Sequence, residues 1–276
     1  MPPRPIIFTD LDGTLLDRNT YSAEASRAAM AKAREARIPI IFCSSKTPQE
    51  QIHLRRELGI NDPFIVENGS ALYLPEGFFA RPIPSSKRKD GHTVLDLGLP
   101  GAIIRMHLAG LQRRLGIPLR GISRLDVNEV MSLTGLDLEA AKRCKARAYS
   151  ETITAPLNSR QIEILDQELD KLGLHMACGG KFHTVTSSSA DKGLAVWLLS
   201  EIFRNEWGPI TTIGLGDSAN DFPLLGRVDY PVLVRKPDGD REPMPLPNLV
   251  VTEGIGPEGW SEAVEMILSD LKEIPS

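Results

Sequence analysis

A pair of carboxylates two residues apart is the first feature of the chain that could do chemistry. Asp10 and Asp12 lie in the sequence DLDGT, directly after the apolar segment 6–9. Such a pair can hold a hard cation through oxygen ligands. One carboxylate can also attack phosphorus, while the other protonates the leaving group and later activates water. The alternative interpretation is an Asp-Gly turn with a spare acid.

A second acidic motif, GDSAND, follows the predicted strand 210–215 and contains Asp217 and Asp221. Alone, it could be a helix N-terminus whose acids are favoured by the helix dipole. Both motifs follow predicted strands of one parallel sheet, whose carboxyl ends meet at the same edge. We therefore predict a Mg²⁺ site with these candidate ligands: Asp10, Asp12, Asp217 and Asp221.

A hydroxyl and a cation complete the predicted phosphate site. Ser44 ends an apolar strand over 38–43, and the helix behind it has the capping sequence TPQE, so a positive helix end faces the same point. Lys192 opens a predicted helix, where a cation opposes the macrodipole. We interpret it as the charge that neutralises phosphate and Asp10. The predicted phosphate-binding residues are Leu11, Thr14, Ser44, Ser45 and Asn220.

The elements around these motifs alternate strand, helix, strand, helix, strand, which predicts an α/β fold with a doubly wound parallel sheet. The basic stretch RPIPSSKRKDG at 81–91 is typical of a linker. The parallel pattern resumes after the serines that precede Lys192. We therefore expect residues 1–82 and 190–276 to form one core domain, with an inserted α/β cap domain over 83–189.

Composition narrows the possible partners. The chain has 276 residues, with 32 Lys and Arg against 36 Asp and Glu, for a net charge of −4. This balance argues against a nucleic-acid partner, which favours a basic surface. No apolar stretch approaches the ~20 residues of a membrane span, and the N-terminus has no signal-peptide pattern. With only 3 cysteines, all expected to be reduced, a cytoplasmic protein with no membrane partner is predicted.

The four motifs, in this order, resemble the haloacid dehalogenase superfamily of phosphatases. The resemblance implies that Asp10 is the nucleophile, Asp12 the acid and base, and Lys192 the catalytic cation. It also implies a Mg²⁺ cofactor and a cap of the larger inserted type (type C2) that closes over the substrate and selects it.

Shorter matches resemble one family, the mannosyl-3-phosphoglycerate phosphatases. They are ENG at 67–69, YSE at 149–151, GGKFH at 179–183 and GPEGW at 256–260. Two residues depart from the family pattern, because Ala148 replaces an expected acid and Lys181 an expected Arg. The resemblance implies an anionic substrate, a phosphorylated sugar-glycerate, contacted by Lys46, Glu67, Asn68, Arg147, Tyr149, Lys181 and His183.

Several alternatives remain open from the sequence. The substrate could be another sugar phosphate, such as glucosyl-3-phosphoglycerate or sucrose phosphate. A phosphomannomutase-like isomerase shares this core, but its activity would depend on a bisphosphate activator. Three of the substrate candidates also have plain structural interpretations: Arg147 could favour a helix dipole, Tyr149 could pack, and His183 could lie in the core of the cap.

Overall fold

The computed structural model describes residues 3–179, 182–237 and 244–273. Its strands, in chain order, are β1 (Arg4–Thr9), β2 (Ile40–Cys43), β3 (Phe64–Val66), β4 (Ala71–Pro75), β5 (Lys87–Lys89), β6 (His92–Asp96), β7 (Glu151–Ile153), β8 (Leu174–Gly179), β9 (Phe182–Ser187), β10 (Ile210–Gly216), β11 (Tyr230–Arg235) and β12 (Val250–Ile255). Its α-helices are α1 (Arg27–Glu35), α2 (Pro48–Leu58), α3 (Gly101–Leu115), α4 (Val127–Thr134), α5 (Leu138–Lys145), α6 (Ser159–Asp170), α7 (Lys192–Trp207), α8 (Phe222–Leu225) and α9 (Pro257–Glu273). None of the helices in these ranges combines the length and the apolarity needed to cross a membrane.

A nine-stranded sheet forms the core domain, in the order β12-β11-β10-β1-β2-β3-β4-β6-β5. The strands from β12 to β3 are parallel, and β4, β6 and β5 continue the sheet antiparallel. In β1, Ile7 packs into an apolar cluster with α1 and α9, whereas Ile6 and Phe8 pack into a second cluster with α7. Burial on both faces explains the unbroken apolar run of this strand. The predicted doubly wound fold is confirmed.

The core domain extends further along the chain than the sequence indicated. We placed the start of the cap at residue 83, but β5 and β6 both belong to the core sheet. Val94 of β6 pairs with Tyr73 and packs into the core. The basic stretch taken for a linker supplies β5, the edge strand, with three exposed residues. Lysines on an exposed edge oppose pairing with another sheet, which explains the basic composition.

The cap contains a three-stranded antiparallel sheet in the order β7-β9-β8. Helices α3 and α6 pack on one face of it, and a cluster around Ile104, Ile153, Leu165 and Val185 forms the apolar core of the cap. A smaller apolar cluster joins α4 to α5. The cap therefore has its own apolar core.

The two connections between core and cap lie side by side. On the outgoing connection, the N–H groups of Leu97 and Gly98 both donate to the carbonyl of Ser70, each at 2.9 Å. On the returning connection, the Ser189 hydroxyl donates to the carbonyl of Leu97 at 3.3 Å. Gly69, next to Ser70, approaches the returning chain so closely that a Cβ there would lie 2.1 Å from the Asp191 carbonyl oxygen. Only glycine fits at this crossing.

Candidate active site

The carboxyl ends of the two central strands bring the acidic motifs together. Strands β1 and β10 are parallel neighbours, and the Asp10 N–H donates to the Leu215 carbonyl at 2.9 Å. Asp10, Asp217 and Asp221 are buried, and each places a carboxylate oxygen within 4.8 Å of the others. Three carboxylate oxygens at this spacing are the ligands that Mg²⁺ takes in proteins, so the donor set fits the predicted metal.

Lys192 lies between two of these carboxylates. Its Nζ is 2.6 Å from an oxygen of Asp10 and 2.6 Å from an oxygen of Asp221. The side chain is buried and stands at the first position of α7, whose N-cap residue, Asp191, accepts from the Leu194 N–H at 2.8 Å. Helix α7 therefore aims the predicted catalytic cation at the predicted nucleophile.

Burial and neighbouring negative charges raise the pKa values of two acids in the cluster. Burial, followed by the charge of Asp221, raises the pKa of Asp10 to about 8, although Lys192 opposes the shift. Burial, followed again by Asp221, raises the pKa of Asp217 to about 6. For Lys192, burial alone would lower the pKa, but the charges of Asp10 and Asp221 outweigh it and raise the pKa. Three carboxylates around one lysine leave an excess of negative charge, which a divalent cation would offset.

Asp12, also proposed as a metal ligand, lies outside the group of three. Its side chain is 34% exposed, and an oxygen of it pairs with the Nζ of Lys46 at 2.9 Å. The second carboxylate of the DLDGT motif therefore faces the opening of the site rather than the buried cluster. This position suits proton transfer to a departing group better than it suits metal binding.

Arg18 is a residue of the site that the sequence did not indicate. Its Nη2 lies 3.2 Å from an oxygen of Asp217, and its side chain is 47% exposed. Like Lys192, Arg18 is a cation that faces the acidic cluster. The pair spans 199 positions of the chain, so no local pattern could reveal it.

The other predicted phosphate-binding residues surround the same edge of the sheet. Ser44 is buried at the end of β2, and its carbonyl accepts from the Asn68 N–H at 3.0 Å. The Asn220 side chain donates to the Asn68 side-chain oxygen at 3.2 Å, which joins the loops after β10 and β3. Leu11 and Thr14 are buried in the loop after β1. The direct role of these residues with phosphate, and of Ser45, stays a prediction.

Comparison with known proteins identifies the family. Residues 7–95 match the haloacid dehalogenase-like hydrolases. A glucosyl-3-phosphoglycerate/mannosyl-3-phosphoglycerate phosphatase from Methanococcoides burtonii is 38% identical over 94% of this chain and 95% of its own length. The chain belongs to the haloacid dehalogenase-like hydrolases. A second enzyme of the same name, from Persephonella marina, is 32% identical to this hydrolase over 97% of the chain and 98% of its own length.

Solved structures agree with this hydrolase in fold. A Thermoplasma acidophilum protein has a TM-score of 0.67 at 15% identity, and the match covers 98% of this chain and 99% of the other. A phosphatase of the haloalkanoate (HAD) superfamily from Bacteroides thetaiotaomicron has a TM-score of 0.66 at 17% identity, over 96% and 95% of the two chains. The architecture of core plus inserted cap is thus shared across nearly the whole length.

Glu67, which we predicted to contact the substrate, lies instead at the junction of core and cap. It is fully buried at the end of β3, in a left-handed backbone conformation with φ of 46°. Its carboxylate accepts from the Ala148 N–H at 2.7 Å, from the Tyr149 N–H at 3.1 Å, and from the Ser150 hydroxyl. The carboxylate therefore ties the core to the cap, and its oxygens are already occupied by these donors.

Arg147 and Tyr149 belong to the same junction. The Arg147 guanidinium donates to the Ser150 hydroxyl at 2.8 Å and to the Ser45 carbonyl, after β2, at 2.9 Å. The Tyr149 hydroxyl donates to Asp96 at 2.6 Å, and the residue is buried. Tyr149 thus packs between the domains and does not face the opening, whereas Arg147 stays half-buried beside the loop after β2.

The GGKFH motif supplied two predicted substrate contacts, His183 and Lys181. His183 pairs with Ile153 and Cys178 across the cap sheet, and Ile153 belongs to the apolar core of the cap. Directly opposite residues of neighbouring strands share a face, so His183 lies on the helix-covered face and not on the open one. Lys181 lies outside the described residues.

A cationic cavity of about 510 Å³ opens beside Arg147. Arg105, Arg124 and Lys145 also line it, as do Ala102, Met106 and Ser123. One nitrogen of Arg105, its Nη1, is buried without a hydrogen-bond partner among the described residues and lies 3.8 Å from a carboxylate oxygen of Glu151. The sequence did not indicate these three cations because they come from three different elements of the cap.

Proposed function

We propose that this hydrolase is a Mg²⁺-dependent phosphomonoesterase that removes the phosphate from a glycosyl-3-phosphoglycerate. The observation that carries the proposal is Lys192, buried and 2.6 Å from both Asp10 and Asp221. A fixed cation at this point can stabilise the negative charge of a phosphoryl group in transfer to Asp10. The relatives from Methanococcoides burtonii and Persephonella marina bear the name of this substrate class.

In the first step, a carboxylate oxygen of Asp10 forms a bond to phosphorus, and the bond between phosphorus and the substrate oxygen breaks. Asp12 donates a proton to that departing oxygen. Its position at the opening, paired to Lys46 rather than to the buried cluster, is the side from which a leaving group would depart.

In the second step, Asp12 accepts a proton from a water molecule. The water oxygen attacks the phosphorus of the aspartyl-phosphate, and the bond to the Asp10 oxygen breaks, which releases phosphate and restores the carboxylate. Lys192 pairs with Asp10 and Asp221 before the attack, and its charge can stabilise the phosphoryl oxygens while Asp10 carries the phosphoryl group.

Asp10, Asp217 and Asp221 are the residues that would hold Mg²⁺. The ion would supply charge stabilisation for the phosphoryl oxygens. Asp12 can take part in proton transfer independently, because its carboxylate lies outside the group of three.

The substrate of this proposal carries a carboxylate as well as a phosphate. Arg147 lies against the loop that follows Ser44 and also lines the cationic cavity of the cap. Arginine suits a carboxylate because its planar guanidinium can donate two parallel hydrogen bonds. We therefore keep Lys46, Asn68 and Arg147 as the proposed substrate contacts.

The reaction belongs, in this proposal, to the cytoplasm. Cys43 and Cys144 are both unpaired, and reduced thiols are the normal state in a reducing compartment.

The deciding assay is phosphate release with Mg²⁺ and no bisphosphate. Mannosyl- and glucosyl-3-phosphoglycerate are compared with glucose 6-phosphate, mannose 6-phosphate and sucrose phosphate. We expect kcat/KM at least about tenfold higher for the best glycosyl-3-phosphoglycerate, which corresponds to about 1.4 kcal/mol of extra transition-state binding.

The Asp10→Asn variant is the control for contaminating phosphatases. A simple sugar phosphate that matches the glycosyl-3-phosphoglycerates would leave the chemistry intact but overturn the substrate. Activity that appears only after addition of a sugar bisphosphate would indicate an isomerase instead.

A further inference from the structure

The loop after the DLDGT motif, residues 17–22, is built to hold one aromatic side chain at the mouth of the site. An oxygen of Asp17 accepts from the N–H groups of Asn19 and Thr20, at 3.1 and 2.7 Å, and from the Thr20 hydroxyl at 2.8 Å. The Ser22 carbonyl accepts from the Asp17 N–H at 2.9 Å and closes the loop. Hydrogen bonds from Thr20 lower the pKa of Asp17, so the carboxylate that organises the loop stays charged.

Tyr21, at the tip of this loop, combines backbone strain with exposure. Its φ is 56°, in the left-handed region that bulky residues avoid. The residue is 48% exposed, so burial compensates for only part of the strain. A strained residue persists only where the surrounding structure holds it, and such residues cluster at ligand-binding sites.

Lys46 connects the ring of Tyr21 to the predicted acid of the reaction. The Nζ of Lys46 is 5.0 Å from the centroid of the ring, and the same Nζ is 2.9 Å from Asp12. The acid must stand beside the bond that breaks, on the side of the leaving group. Lys46 and Tyr21 therefore flank the leaving group and not the phosphate.

We propose that Tyr21 is the platform on which the sugar of the leaving group rests. The proposal rests on the proposed function and names how the site selects a glycosylated substrate. A sugar ring has an apolar C–H face and polar hydroxyl edges. An aromatic ring in water offers the matching apolar surface at a small cost in conformational entropy. Lys46, held over the ring, can donate to the hydroxyls or to the carboxylate at the rim.

The test compares Tyr21→Ala and Tyr21→Phe on two substrates that differ only in the sugar, mannosyl-3-phosphoglycerate and 3-phosphoglycerate. We expect Tyr21→Ala to lower kcat/KM about five- to tenfold for the glycosylated substrate and less than about twofold for the other. Tyr21→Phe, which keeps the ring, should stay within about twofold on both.

Tyr230→Ala is the matched control, because Tyr230 is 59% exposed and lies at the start of β11, at the amino end of a parallel strand. This control variant should leave kcat/KM unchanged for both substrates. A Tyr21→Asn variant should raise Tm, since Asn tolerates a positive φ, and still lose the preference for the sugar. A structural role alone would not separate stability from substrate preference in this way.

An equal loss on both substrates would overturn the platform, because it would mean that Tyr21 acts only through Lys46 and Asp12. An unchanged kcat/KM of Tyr21→Ala on both substrates would also overturn the platform. The phosphate-free product, mannosylglycerate, gives a readout without turnover: calorimetry should show weaker binding to Tyr21→Ala than to wild type. If wild type does not prefer glycosyl-3-phosphoglycerates, the proposed function fails by itself. The calorimetric comparison of mannosylglycerate binding to wild type and to Tyr21→Ala still decides for or against the platform.

Discussion

Replacing Glu67 by glutamine is the sharpest test of how the two domains are joined. Gln keeps the shape of the side chain and leaves the left-handed backbone at this position unchanged. It alters only the pattern of donors and acceptors. The native carboxylate accepts from two N–H groups, at 2.7 and 3.1 Å, and from the hydroxyl of Ser150.

The size of the effect follows from these contacts. The amide oxygen of Gln can replace the oxygen that faces Ala148. The amide nitrogen would then face the N–H of Tyr149, where two donors meet, while the Ser150 hydroxyl can rotate to accept. One buried N–H is left unpaired, which costs about 1–3 kcal/mol. Burial raises the pKa of Glu67, although Arg147 opposes the shift, and Gln also removes that attraction to Arg147.

The free energy of unfolding is measured by urea denaturation for wild type, Glu67→Gln and the control Glu265→Gln, whose ion pair with Lys32 is exposed. We expect the Glu67 variant to lose about 1–3 kcal/mol and the control to stay within about 0.5 kcal/mol. KM should rise more than kcat falls, because the loop that carries Arg147 loses its anchor. A Glu67 variant as stable as the control would refute the reasoning.

Three further predictions concern charges. Asp10→Asn should retain the circular dichroism spectrum and lose phosphate release; activity above about a tenth of wild type would contradict nucleophilic attack by Asp10. Lys192→Met should destabilise the metal-free protein by about 3–5 kcal/mol in urea, because it leaves buried carboxylates unpaired; unchanged stability would contradict the role given to this cation. Hydrogen bonds from Arg114 and Lys171 lower the pKa of Glu168 to about 2 from 4.5, so its contribution to stability is present above pH 4.5 and is lost as the pH falls towards 2. In acid titrations, Glu168→Gln should show a shallower loss of stability over that interval, and identical curves would argue against the shift.

The candidate catalytic residues at the carboxyl edge of the core sheet were predictable because the sequence patterns that indicate them are local. Asp10 and Asp217 each follow a strand that is largely buried, and parallel strands place their carboxyl ends at one edge. Lys192 was informative for a similar reason, since a cation at the first position of a helix needs a partner. These predictions required no knowledge of which strands pair with which.

The junction of core and cap depends on contacts that no local pattern contains. Glu67 reaches residues 81 to 83 positions away, so its motif resembled a substrate site when it is an anchor. The side of the sheet on which His183 lies depends on the register of β9 against β7, which a short segment leaves undefined. Strand β5 was hidden because its three exposed basic residues have the composition of a linker, and the predicted strand that matches β6 was therefore assigned to the cap instead of the core sheet.

The paired connections at Gly69 and Ser70 bear on how this architecture could arise. The chain leaves the core and returns to it at almost the same point, so the cap is inserted between two positions that are already neighbours. The entropy cost of closing an insertion between such points grows only slowly with its length, by about 0.6 kcal/mol for each doubling. A cap can thus be gained, lost or exchanged in a lineage without displacing the carboxylates or the lysine beneath it, and substrate range can diversify while the reaction is inherited unchanged.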